Sequence, residues 1–243
     1  MTITANTTVA EIAAAEPATI KVFQRHHIDF CCGGRIPLSD ACANHGVDTD
    51  TLLAELRAAP AAADDPADWH HAPLSDLIAH IQMRYHVPLR AELPRLAGML
   101  EKVVSRHGDR LPEVLIPLRA SFESLQRELL VHMAKEDAVL FPAVTALEAS
   151  AADASSPPLD WAWIERPIDV MEAEHESAGA ALAAMRELTR GYAPPEGACP
   201  TFRGLYLGLS QLERDMHVHV HLENHVLFPR AASLARERAA VTR

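Results

Sequence analysis

The sequence predicts an all-α protein, an up-down-up-down four-helix bundle preceded by a small helical N-terminal domain. Three observations predict it. Aromatics make up only 5% of the 243 residues and glycines number ten, while Ala, Leu and Glu are plentiful, a composition that favours helix over sheet. Four long segments after residue 73 carry apolar residues at helical intervals. An eleven-residue frame in the second segment, HMAKEDAVLFP at 132–142, recurs in the fourth as HVHLENHVLFP at 219–229, an offset of 87. A hydrophobic content of 49% is ample for a packed core, and almost no strand is expected.

Residues 1–57 read as a short helical domain. Thr8 suits an N-cap ahead of VAEIAAAE, and Pro17 stands early in a second helix, PATIKVFQRHH. Gly33 and Gly34 turn the chain in IDFCCGGRIPLSDAC, and helix resumes over Leu38 to Glu55, with Ala41, Leu52, Leu53 and Leu56 at helical intervals. So small a unit must dock or dimerise to bury its apolar face, which permits a homodimer. Residues 58–73, rich in Ala, Pro and Asp, read as a linker.

The bundle should occupy 74–238. Its first helix runs from about Pro73 to Arg106, with Leu77, Ile81, Tyr85 and Leu89 four apart. Pro88 and Pro94 should bend it or lie near its turns. The second helix covers about Pro112 to Leu147, the third about Trp161 to Thr189 and the fourth about Thr201 to Arg238. A polar stretch ending SSPPLD and the segment GYAPPEGACP connect them, and such loops suit an up-down-up-down order. Pro142 and Pro229 should each kink or break a helix just after the repeated Val-Leu-Phe, itself a core-packing element.

A formal net charge of −11 argues against nucleic acid or an anionic membrane as a partner. No apolar run approaches the roughly 18 residues a membrane span needs, and no basic-then-apolar leader opens the sequence, so the cytoplasm is the expected compartment. Cys31, Cys32, Cys42 and Cys199 fit neither a disulfide framework nor a Cys-x-x-Cys zinc site and are expected as reduced thiols.

The repeated frame carries chemistry. Its shared spacing, His-x-x-x-Glu, places His132 with Glu136 and His219 with Glu223 on one helix face, one turn apart, where both side chains reach a common inward point. A single copy is commonly a surface pair; two copies in one frame are a far stronger signal. If the second and fourth helices are repeats, the first and third should each add a matching ligand, and they do: His86 lies 46 residues before His132, and His175 lies 44 before His219. Four histidines and two carboxylates would fill all positions on one ion, but they leave open positions on two ions that share the carboxylates. Imidazole with carboxylate suits iron, and manganese and zinc are compatible with the same ligand types. Ferritin-like bundles use two Glu-x-x-His motifs, and the candidate ligands here include one, Glu172 to His175.

Residues 74–238 resemble a hemerythrin-like domain, and the N-terminal section resembles the short domain that precedes it in the YtfE/ScdA/NorA/DnrN group of bacterial di-iron proteins. The marks are IDFCCGG at 28–34, RYH at 84–86, HMAKED at 132–137, EHESAG at 174–179 and HLENHVLFPRA at 221–231. Carried over residue by residue, the group's ligands fall on His86, His132, Glu136, His175, His219 and Glu223, the six chosen by the repeat. The resemblance implies two non-haem iron ions bridged by both glutamates and by an oxo or hydroxo group. It also implies repair of iron–sulfur clusters damaged by nitric oxide or peroxide, with damaged iron–sulfur proteins as transient partners and nitric oxide or dioxygen as small ligands. No catalytic residue is assigned, and turnover is left open.

Fourteen histidines exceed the six ligands. His217, His221 and His225 flank the fourth-helix pair, and the first two are expected at the bundle surface, away from His219. His80 lies off the face of His86, and His107 suits the end of a helix. His26, His27, His45, His70 and His71 fall outside the bundle and are expected to be exposed. Glu128 and Glu174 stand where they could hydrogen-bond ligands, although exposed helix charge is the commoner role. Cys31 and Cys32 read equally as an accessible redox or metal-transfer pair and as small apolar turn residues; Cys42 and Cys199 read as incidental. Three functions compete: iron supply to damaged clusters, capture or sensing of nitric oxide or dioxygen, and reduction of nitric oxide at paired metals.

Overall fold

A computed structural model describes residues 2–59, 68–152 and 161–241. Most of the expected linker, residues 60–67, and residues 153–160 of the loop before Trp161 lie outside the described residues. The described chain is helical, and its one β-bridge joins Thr8 to Pro37. Two compact units divide it: Met1–Ile78 with Ala143–Ile168 and His217–Arg243, and Ala79–Pro142 with Asp169–Met216.

The first unit opens with α1 (Val9–Ala15), whose N-cap Thr8 forms a full capping box with Glu11. A short 3-10 turn at Pro17–Thr19 leads into α2 (Ile20–Arg25). The helix expected over Leu38 to Glu55 is instead two, α3 (Leu38–His45) and α4 (Thr49–Arg57). Gly46 takes a left-handed φ of 65° as the C-cap of α3, and the Asp48 carboxylate then caps α4 by accepting from the Thr51 amide. Val9, Ile12, Phe23, Phe30, Leu38 and Leu52 are buried at the centre of these elements, and Val218 packs against them. Gly34 makes the turn between α2 and α3 possible: a Cβ there would stand 2.8 Å from the carbonyl of Phe30, and its own carbonyl accepts from the Ala10 amide.

Four long helices follow. The first is α5 (Leu74–Ile81), a π-helical turn at Gln82–His86 and α6 (Val87–His107). The second is α7 (Pro112–Lys135), a π turn at Glu136–Leu140 and α8 (Phe141–Ala152). A 3-10 turn at Ala162–Ile164 precedes the third, α9 (Glu165–Leu188); the fourth is α10 (Pro200–Leu222), a π turn at Glu223–Leu227 and α11 (Phe228–Val241).

Pro88, Pro142 and Pro229 therefore neither break nor end their helices. Each stands one residue past a wide turn closed by a bond five residues back, from Val87 to Gln82, Phe141 to Glu136 and Phe228 to Glu223. A proline ring crowds the carbonyl four residues before it and offers no N–H, so opening the turn relieves the clash while the chain stays helical.

In the second unit, α6, α7, α9 and the first turns of α10 form the bundle. Leu93, Leu96, Phe122, Leu125, Leu182, Met185, Leu205 and Leu209 are all buried. Arg186 bonds the buried Glu213 at 2.7 Å. In the first unit, Glu148 caps α5 by accepting from the amides of Leu74 and Ser75, and Arg230 donates to the carbonyls of Trp69 and Ala72.

Candidate metal centre

The wide turns position the candidate ligands. Glu136 and Glu223 are the first residues of their π turns and His86 is the last of its own, so the extra backbone residue in each turn aims these side chains inward. His132 and His219 each stand one α-helical turn before their glutamate. His175 comes from the middle of α9, which has no such turn.

All six side chains are buried. His86, Glu136, His219 and Glu223 form one set, and His132, Glu136, His175 and Glu223 a second, the ligand atoms of each lying within 4.8 Å of one another. The two glutamates are common to both sets. Glu136 faces His86 Nε2 through one oxygen at 3.4 Å and His132 Nε2 through the other at 3.3 Å. His219 Nε2 stands 3.0 Å from Glu223 Oε1, and His132 Nε2 stands 2.9 Å from His175 Nε2. Ligands about 2.1 Å from one ion and at right angles stand about 3 Å apart, so these separations fit shared metal coordination.

Hydrogen bonds at the far ring nitrogens agree. His132 Nδ1 donates to Glu174 at 2.9 Å, and His86 Nδ1 donates to Asp137 at 3.0 Å, which leaves the Nε2 lone pairs turned towards the glutamates. Partial burial works against the charge on both outer carboxylates, yet Lys135 and His132 hold Glu174 below its ordinary value, and Gln82, Arg90 and His86 do the same for Asp137. The His86 ring also lies flat on Phe141, centroids 5.5 Å apart. Four imidazoles and two buried carboxylates, shared between two sets, are a donor array suited to a non-haem di-iron centre.

The structure places the other candidates as follows. Glu174 touches His132, a candidate ligand; Glu128 is exposed and accepts from Ser124 and Ser177. Asp137 escaped the sequence reading. No local spacing marks it, and only the packing of the first long helix on the second shows that it meets His86, 51 residues away.

His221 is the main correction among the surplus histidines, being buried where a surface position was expected. Its Nδ1 donates to the Phe30 carbonyl at 3.1 Å, His225 Nε2 donates to the Cys31 carbonyl at 2.6 Å, and His217 lies edge-on to the Phe30 ring. Four-residue spacing puts the three on one stripe of the fourth helix that grips the IDFCCGG loop, while His219 faces elsewhere. His80 packs on Tyr85 and His107 on Phe202. His26 is half-buried against Glu55, whereas His27, His45, His70 and His71 are exposed.

In that loop Asp29 accepts from the amides of Cys31, Cys32 and Gly33 at 2.8, 3.1 and 2.9 Å. Burial alone would raise its carboxyl, but these bonds hold it below its ordinary value. The Cys31 and Cys32 sulfurs are 3.6 Å apart, and the bond to Cys32, burial and the nearby Asp29 charge push the Cys31 thiol well up. Cys31 is buried and Cys32 half-buried; all four cysteines are free.

No helix among the described residues is long and apolar enough to cross a membrane. The Hemerythrin HHE cation binding domain matches residues 77–231, and the ScdA_N domain, a Domain of Unknown function (DUF542), matches residues 5–60. The sequence is similar to the iron–sulfur cluster repair protein YtfE of Yersinia pseudotuberculosis serotype O:1b (strain IP 31758), 40% identical over 226 residues that cover 93% of this chain and 96% of the relative. The protein of the same name from Yersinia pestis (strain Pestoides F) is 39% identical over 226 residues, with the same shares covered.

Proposed function

The chain belongs to the YtfE/ScdA family of iron–sulfur cluster repair proteins, and from that premise we propose that it works in the cytoplasm to repair or protect clusters damaged by nitrosative or oxidative stress, by donating iron. The observation that carries the reading is the pair of buried ligand sets with Glu136 and Glu223 in common. His86, His132, Glu136, His175, His219 and Glu223 are the assigned ligands. The division into an N-terminal domain at 1–57, a linker at 58–73 and a bundle at 74–238 belongs to the same reading.

Iron held there supplies exchangeable, redox-active metal with positions for small ligands. The protein's part is to keep that metal from bulk water and to fix two of its imidazole ligands, His86 and His132, in one tautomer through Asp137 and Glu174. Damaged iron–sulfur proteins are the transient partners. Cys31 and Cys32 enter as a transfer point, with the half-buried Cys32 as the reachable thiol, supported by two sulfurs close enough to meet one soft ion.

The test is reactivation of an iron–sulfur dehydratase inactivated by nitric oxide. Iron-loaded protein should restore its activity and His132→Ala should not; equal activity from the variant would sink the assignment. Capture or reduction of nitric oxide is the second reading. It draws on an apolar-walled groove beside His132 and His175, lined by Leu129, Val131, Val170 and Ala173. Stoichiometric nitrosyl formation without cluster repair would favour capture, and nitrous oxide over many turnovers would favour reduction.

A further inference from the structure

The two ligand sets share their carboxylates but not their surroundings. His132 and His175 line a groove of about 550 Å³ in the second unit, together with Glu174, Lys135, Val131 and Val170. Val131 and Val170 are large apolar side chains left 56% and 49% exposed at that groove. The partner that orients His132 stands in the groove wall. Glu174 is one-third exposed, and its other oxygen is held by Lys135, itself nearly half exposed.

His86 is secured differently. Asp137, which accepts from His86 Nδ1, also accepts from Gln82 at 2.8 Å and from Arg90 at 2.5 Å, and the imidazole is stacked on Phe141. A solvent-exposed Lys–Glu pair contributes only about 0–1 kcal/mol, so apart from its bond to His132 little holds Glu174 out of water. Asp137 would have to leave a guanidinium, an amide and an imidazole together. Loss of the outer carboxylate weakens an imidazole as a metal ligand.

We infer that the His132–His175 side of the centre gives up its metal before the side containing His86, through this groove, and that Glu174 and Lys135 set the rate at which it does so. The inference rests on the iron-donation reading and names the position from which donation draws.

The test is anaerobic iron release from fully loaded protein to an excess of a ferrous chelator, followed by absorbance. Two phases of equal amplitude are expected. Glu174→Gln should speed the fast phase about 10- to 100-fold and leave the slow phase alone, while Asp137→Asn should speed only the slow phase. Lys135→Met, a change at an exposed position, should speed the fast phase by a smaller factor and serves if Glu174→Gln folds poorly. Single-phase release of both irons would overturn the inference. So would Glu174→Gln and Lys135→Met variants that leave the fast phase unchanged or speed both phases alike. Failure here is separable from failure of the proposed function: ordered release without reactivation of a damaged enzyme refutes donation alone, and reactivation with single-phase release refutes the order alone.

Discussion

Acidification should weaken the grip on the IDFCCGG loop through His221, and the size of the effect follows from its burial. Desolvation, aided by the nearby charge of His225, pushes the His221 imidazole down from 6.5 to about 3, and the bond to the Phe30 carbonyl offsets only part of that. The folded state therefore keeps His221 neutral where the unfolded chain would protonate it. The stability this contributes is complete above the unfolded value of about 6.5 and is lost progressively as pH falls towards 3. At about 1.36 kcal/mol per unit, the loss is about 1.4 kcal/mol at pH 5.5 and about 2.7 kcal/mol at pH 4.5. His221→Asn places an amide nitrogen near the position of Nδ1, so it retains a donor for Phe30 but cannot titrate.

The assay is urea unfolding of metal-free wild type and His221→Asn, followed by far-ultraviolet circular dichroism across that pH range. Near pH 7.5 the variant should be less stable by about 1–2 kcal/mol, because part of a buried ring is deleted. The gap should shrink by about 1.4 kcal/mol at pH 5.5 and reverse near pH 4.5, since only the wild type carries the titrating ring. A gap that stays constant from pH 7.5 to 4.5 would refute the reasoning.

Two further outcomes follow from the site and the loop. Glu136→Gln should lower bound iron from about two per chain to one or fewer, and should stabilise the metal-free protein by about 1–3 kcal/mol because a neutral amide replaces a buried carboxylate; metal analysis and urea midpoints check both, and two retained irons would count against Glu136 as a shared ligand. Asp29→Ala removes the acceptor for three loop amides and should cost about 1–3 kcal/mol at neutral pH. Because the folded carboxyl is held below its ordinary 3.8, the part of that cost that depends on its charge should be complete above about pH 4 and shrink as pH falls towards the folded value; unfolding curves from pH 7 downward would show this, and a cost that grows on acidification would refute it.

The sequence by itself determined the helical class and singled out the six side chains that the structure gathers into two candidate ligand sets. Both are local: composition and the 3.6-residue period set the helices, and four-residue spacing puts His132 with Glu136 and His219 with Glu223 on common faces. Repetition at an offset of 87 then pointed to His86 and His175. Thr8 was legible as a cap for the same reason, since a capping box needs only four consecutive residues.

The tertiary structure decided what depends on distant partners. Proline chemistry predicts a disturbance at Pro142 and Pro229, but a kink, a break and a π turn all relieve the clash, and the structure takes the third. His221 and His219 differ in sequence only by two positions. One meets the carbonyl of Phe30, 191 residues earlier, and the other meets the ligand sets. Asp137 likewise meets His86 only because the first long helix packs on the second, and Glu174, one of two acidic candidates in the sequence, meets His132 because α9 lies against α7. Spacing along one helix fixes which side chains point the same way, but the group they meet is chosen by the packing of separate helices, and no period in the chain encodes that choice.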